Sequence, residues 1–225
     1  VKSIFTIPNI SLRSSKLIKD SKNSIQNIRD IRNDCAVNNS DFLIVYIGAF
    51  QQGRHLEEAI NMIIRVKPIK PNIHFCMLGY GPLYEKLYKM SSHLDFIHIL
   101  DPVLEINLIN YIKTADMSFV LADSSCLNDY LCLPNKFFQS VKANLPIAAY
   151  AGVEVSNLVL KYGLGIVLDD LKDIDKFSNF IKNIEDSSFV SDSERHKSLI
   201  KKYEPHFEYT RLFNLIFSNK KHLFS

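Results

Sequence analysis

From residue 42 onward the chain alternates short, mostly apolar runs with longer stretches whose apolar residues recur every three or four positions. The runs are Phe42–Ile47, which is continuous, then Ile73–Leu78, Phe96–Ile99, Met117–Ala122, Ile147–Tyr150 and Ile166–Leu168, with His74, His98 and Ser118 as the polar interruptions. Runs of this kind, closed by glycine or Asp-Pro, predict strands buried on both faces. Between them lie helical patterns. From Leu56, the residues Ala59, Ile60, Ile63 and Val66 mark one face, stopped before Pro68. Leu83–Leu87 and Glu105–Lys113 predict two more helices. Phe137, Phe138, Val141 and Ala143 share a packing face that Asn144-Leu145-Pro146 ends. Another helix follows Tyr150, Ile174, Phe177, Ile181 and Ile184 mark the next, and two helical stretches close the chain. Strand and helix alternate six times. That predicts the α/β class: a Rossmann-like, doubly wound parallel sheet of about six strands with helices on both faces.

Residues 1–40 do not share this pattern. A short extended run closes at Pro8-Asn9, and residues 14–40 are rich in Ser, Asn, Asp and Lys. Leu17, Ile18, Ile25, Ile28 and Ile31 are too sparse for a core helix, so this part reads as a lead-in with one exposed helix. Residues 41–225 read as the folded domain, including the closing helices.

Composition narrows the classes. At 225 residues and 47% apolar, the chain has enough material for a real core. A net charge of +3 is too small to argue for nucleic acid. Cys35, Cys76, Cys126 and Cys132 have no metal-ligand spacing, and read as reduced thiols of a cytosolic protein. No apolar stretch is long enough to span a bilayer, and no signal peptide is visible. The chain starts at Val1 rather than Met, and is expected to be a piece of something longer.

Candidate chemistry gathers just after the strands. All seven glycines fall between Gly48 and Gly165, and Gly48, Gly53, Gly79 and Gly81 crowd one expected edge. Ligands of such sheets bind beyond the carboxyl ends of the strands, where strand order reverses. Each glycine alone more often permits a tight turn; the set favours close approach of backbone to a ligand. Gly48–Arg54 is a polar loop that places Arg54, with its planar fork, near a helix start. Leu133-Pro134-Asn135-Lys136 opens a helix with a lysine in the first turn. Lysine there opposes the helix dipole, so an anion is the better reason for it. Gly79-Tyr80-Gly81-Pro82 lacks the third glycine and later acid of the dinucleotide fingerprint.

Together these segments resemble the carboxyl-terminal half of retaining GT-B glycosyltransferases, the group 1 or family 4-like class that uses nucleotide-sugar donors. The resemblance covers roughly Ile7 to Phe217. It rests on Ile7-Pro8-Asn9, the Val45–Leu56 loop, Met77–Pro82, Thr114-Ala115-Asp116-Met117, Leu133–Pro146 and Tyr162–Ile166. It implies that Gly48, Arg54, Asn135 and Lys136 hold the donor phosphates. Gln139, Val103, Gly79 and Gly81 then contact the ribose and base. Asn128, Leu131, Cys132 and Leu133 lie where the donor sugar would sit, chiefly through backbone N–H groups. The class needs no metal or other cofactor, the nucleotide-diphosphate sugar being substrate. Three departures stand out. Leu131 and Gln139 occupy the positions of two glutamates normally found about eight residues apart, and Asn144 replaces a glycine that precedes Leu145. Gln139 can still accept a hydrogen bond from a ribose hydroxyl, but without charge. Asn144 tolerates a left-handed turn.

The resemblance implies transfer of a sugar to an acceptor hydroxyl with retention, in polysaccharide or glycolipid synthesis at the cytoplasmic side of a membrane. The implied partners are a nucleotide-sugar donor and an amino-terminal acceptor-binding half, in cis or in trans; a peripheral membrane acceptor stays open. That half is missing here, so the chain is a cut-out domain, works with a second polypeptide, or has lost activity. No general base is legible. His74 and His98 fall in strands and read as core or face residues. Two alternatives stay open: a non-catalytic nucleotide- or protein-binding module with the same fold, favoured by Leu131 and Gln139, and one half of a nucleotide-sugar epimerase.

Overall fold

A computed structural model describes residues 30–122, 131–150, 152–186 and 193–203. The run closing at Pro8-Asn9, the exposed helix expected before residue 30 and the last closing stretch after Tyr203 lie outside the described residues. Six strands form one sheet: β1 (Phe42–Ile47), β2 (Ile73–Leu78), β3 (Ile97–Leu100), β4 (Met117–Leu121), β5 (Ile147–Tyr150) and β6 (Gly165–Leu168). They lie in the order β3-β2-β1-β4-β5-β6, and every neighbouring pair is parallel. This is the doubly wound arrangement that the alternation predicts. β1, β2 and β4 are almost wholly buried, which explains why their runs are apolar but for His74 and Ser118.

The helices are α1 (Ile31–Asp34), α2 (Leu56–Val66), α3 (Tyr84–Ser91), α4 (Glu105–Ile112), α5 (Asn135–Lys142), α6 (Val153–Tyr162), α7 (Ile174–Glu185) and α8 (Ser193–Lys202). Side chains alternate across each strand, so each face of the sheet has its own core. Ile44, Tyr46, Phe75, Met77, Phe119 and Leu121 meet α2, α3 and α7. On the other face, Leu43, Val45, Cys76 and Leu78 meet α1 and α4, while Val120, Ile147 and Ala149 meet α5, α6 and α8. No helix among the described residues is long and apolar enough to cross a membrane.

One sequence expectation is corrected. Residues 30–40 are not merely lead-in: Ile31, Cys35 and Val37 are buried in the core beneath β1 and β2. Arg32, itself buried, donates from Nη2 to Asp116 Oδ2 at 2.5 Å and from Nε to the Thr114 carbonyl at 2.5 Å. Its Nη1 donates to the carbonyls of Asn38 (2.7 Å) and Asp41 (3.1 Å). Asp116 Oδ2 also accepts from Leu43 N–H at 2.6 Å. Arg32 thus ties the amino ends of β1 and β4 together. A four-residue helix is too short to show a periodicity, so its burial left no pattern to read.

Candidate anion site at the switch point of the sheet

Strand order reverses between β1 and β4. The crevice beyond their carboxyl ends is where sheets of this kind hold ligands. Lys136 occupies that crevice. It is the second residue of α5, whose cap position is Pro134 and offers no side-chain cap. Its ammonium does not simply face solvent. Nζ donates to the Tyr46 hydroxyl at 3.1 Å and to the Leu121 carbonyl at 3.3 Å, and lies 4.5 Å from the centre of the Tyr46 ring. The tips of β1 and β4 are thereby joined through one lysine.

Tyr46 is fully buried, and its hydroxyl donates to the Ala49 carbonyl at 3.0 Å. Burial pushes its phenol well above the usual tyrosine range, opposed in part by the positive charge of Arg54. The phenol therefore stays protonated and cancels neither cation. Arg54 lies in the turn before α2, its N–H donating to the Gln51 carbonyl at 3.3 Å. With the Gln51 amide turned to suit both partners, its oxygen accepts from Arg54 Nη2 at 3.1 Å and Nε at 3.3 Å. Gly48, at φ +132°, borders the pair: a Cβ there would lie 3.6 Å from Tyr46 Oη and 3.9 Å from Lys136 Nζ. Gly48 and Lys136 therefore meet at one buried hydroxyl, within reach of the positive charge of Arg54.

Gly79 and Gly81 have a packing role as well. A Cβ on Gly79 would fall 1.9 Å from the Gly48 carbonyl oxygen, and one on Gly81, at φ +152°, 2.4 Å from the Phe50 carbonyl oxygen. Both glycines lie in close approach to neighbouring backbone. Gly48 N–H donates to Leu78 O (3.0 Å), Phe50 N–H to Tyr80 O (2.7 Å) and Leu83 N–H to Phe50 O (2.9 Å). These bonds carry the β1–β2 pairing past the strand ends. Phe50, fully buried, pins the join between Tyr46 and Tyr84. The glycines thus fix the loop that carries Arg54.

Asn135 is exposed at the first turn of α5, and Gln139 is half-buried one turn further along. Val103 is half-buried in the segment between β3 and α4, packed against their core. Leu131 is exposed and Cys132 half-buried. Leu133 buries its side chain with Phe137 and Phe138, so only its backbone remains for a sugar. Asn128 lies outside the described residues. Asn144 adopts φ 58°, the left-handed turn expected of it. Among the described residues no cluster of three or more His, Cys, Asp or Glu could hold a metal ion.

Two neighbours escaped the sequence reading. Tyr46 sits inside an apolar run and looked like core; its only signal was a polar tip two residues before Gly48. His55, directly after Arg54, takes a left-handed conformation at φ 50° and packs edge-on against Tyr150 with centroids 4.9 Å apart.

No protein-family model matches the sequence, and no curated protein matches it. Solved structures do resemble it in fold. HepE from Anabaena, crystallised with UDP-glucose, matches with a TM-score of 0.65 at 12% identity, over 87% of this chain and 53% of that one. TarM from S. aureus, as a point mutant with fondaparinux, alpha-GlcNAc-glycerol and UDP, gives 0.63 at 15% identity, over 96% of this chain and 40% of that one. The C-terminal domain of LpcC, a group 1 family glycosyltransferase from Francisella tularensis, gives 0.59 at 12% identity, over 76% of this chain and 90% of that one. The chain thus spans about half the length of HepE, less of TarM, and most of the single LpcC domain. Its fold is that of one Rossmann-like domain of the GT-B glycosyltransferases.

Proposed function

We propose that this chain is the donor-binding, carboxyl-terminal half of a retaining GT-B glycosyltransferase, gripping the diphosphate of a nucleotide sugar at the β1–β4 switch point. One observation carries the reading: at the switch point where the sheet topology expects a ligand, Lys136 is held against Tyr46 of β1, and the loop that follows β1 carries a second cation, Arg54. The chemical demand of such a reaction is departure of a diphosphate on which negative charge develops. Two fixed cations and the N–H groups at the start of α5 suit that demand, since charges already oriented cost no reorganisation as the bond breaks. HepE and TarM, which share the fold, were crystallised with UDP-glucose and UDP, so UDP is the first nucleotide to try.

In this reading Asn135 offers backbone N–H groups to the phosphates, Gln139 holds the ribose, and backbone near Val103 borders the base. The segment with Leu131, Cys132 and Leu133 faces the sugar. The acceptor is bound by a second half, in the same or another polypeptide, and serves a polysaccharide or glycolipid pathway at the cytoplasmic side of a membrane. A non-catalytic nucleotide-binding module is the second reading, favoured by the neutral Gln139 in the glutamate position. Calorimetry of the full chain with UDP, GDP, ADP, CDP and dTDP tests the donor site. Saturable binding of one of them, weakened by Arg54→Ala, supports it; no binding by any of the five rejects it. Transfer of sugar by the chain together with its acceptor half separates the enzyme from the silent module.

A further inference from the structure

The donor-phosphate reading leaves Tyr46 without a task, yet its side chain touches both the lysine and the loop that form the site. Its ring lies under the Lys136 ammonium at 4.5 Å, and its hydroxyl accepts from Nζ at 3.1 Å while donating to Ala49 O at 3.0 Å. Lys136 starts on α5, on the far side of the switch point. Without a tether, a lysine in a helix's first turn leans away from the positive end of the dipole. Its long side chain also has many rotamers to lose on binding an anion.

We infer that Tyr46 is a positioning residue for diphosphate binding: its neutral hydroxyl holds the Lys136 ammonium beside Gly48 in advance of the ligand. The inference rests on the donor-phosphate reading and adds to it a residue that no motif marks. A hydroxyl suits this task better than a carboxylate. Aspartate or glutamate would orient the lysine equally well but would form an ion pair with it, and the incoming diphosphate would have to break that pair. A buried phenol orients the ammonium without placing a negative charge of its own beside it. Its one proton goes to Ala49 O, so the oxygen presents lone pairs to Nζ. The same bond fixes the backbone at the start of the Gly48–Arg54 loop, so one side chain sets both the lysine and the loop that brings Arg54.

A double-mutant cycle on UDP affinity tests the inference, with GDP, ADP, CDP and dTDP as further probes. Tyr46→Phe keeps the ring and its contact with Nζ but deletes the hydroxyl. The expected result is about 5- to 20-fold weaker binding in the otherwise native chain. In a Lys136→Met background the same substitution should cost less than about 2-fold, because the group it positions is gone. Equal losses in the two backgrounds, or no loss in the native one, would overturn the inference while leaving the donor site standing. Failure of the native chain to bind any of the five nucleotides overturns both. Should Tyr46→Phe not fold, acylation of lysines in the native protein decides the matter. Lys136 is expected to react several-fold more slowly than the exposed Lys142 on the same helix, and more slowly still with bound UDP. Equal rates for the two lysines without UDP overturn the inference.

Discussion

At the scale of single residues, the proposed donor site depends on charges placed where the helix dipole and the open strand ends already favour an anion. Lys136→Ala and Arg54→Ala each remove a charged donor and should weaken binding of a nucleoside diphosphate by roughly 1.5–3 kcal/mol, the range for hydrogen bonds to charged groups. Calorimetry reads this directly. A loss below about 0.5 kcal/mol for both would mean that the ligand contacts neither. Gln139 poses the reverse case. Its side chain leaves α5 one turn beyond Lys136, on the helix whose start faces the crevice. If it meets a ribose, Gln139→Glu should tighten binding, since a carboxylate accepts a hydroxyl proton more strongly than an amide does. Unchanged or weaker affinity in that variant removes Gln139 from the ribose.

At the scale of elements, the two edges of the sheet do different work and should respond differently to mutation. At the carboxyl edge, Gly79 and Gly81 let the loop after β2 lie directly on the loop after β1. Gly81→Ala forces a side chain into φ +152° and into the Phe50 backbone. The expected cost is about 2–3 kcal/mol of stability, together with weaker nucleotide binding because the Arg54 loop moves. At the amino edge, Arg32→Met removes the buried guanidinium that donates to the Asp116 carboxylate and three carbonyls, leaving Asp116 its bond from Leu43 N–H. Loss of roughly 3 kcal/mol is expected by chemical denaturation, with nucleotide affinity of the folded protein unchanged. The same contrast explains what could be read beforehand. β1, β2 and β4 were legible because burial on both faces demands runs that are apolar at nearly every position, and α5 because Phe137, Phe138 and Val141 share one face. The contact of Gly79 and Gly81 with the neighbouring loop was not legible, because a glycine required by packing has the same letter as one required by a ligand. Arg32 was hidden for a related reason: its partners Thr114 and Asp116 lie 82 and 84 residues away, and only the fold brings them together.

At the scale of the molecule, the sheet carries a titratable pair far from the switch point, and it sets an expectation for acid stability. His74 on β2 and His98 on β3 stack at one edge, with Nδ1 and Nε2 3.0 Å apart. At that distance both rings cannot carry a proton on the facing nitrogens. Burial, then the charge of neighbouring His74, pushes His98 down to about 4, from an ordinary value of 6.5. Burial and nearby Lys67 lower His74 as well, while Asp41 and Asp95 pull upward and Arg32 downward. Both histidines are thus depressed in the folded state. The unfolded chain takes up more protons than the folded one once the pH drops below 6.5, so stability falls with pH in that window. Their contribution is present above pH 6.5 and is lost progressively as the pH falls, that of His98 down to about 4, below which it adds no further slope. Urea denaturation at several pH values across that range should show the decline. Carboxylates contribute to acid unfolding too, so the decisive comparison is with His98→Asn, which retains a polar side chain but cannot titrate. That variant should show a shallower fall between about pH 6.5 and 5, where carboxylates are mostly still ionised. The same slope in both proteins would mean that the histidine pair does not govern how this sheet opens in acid.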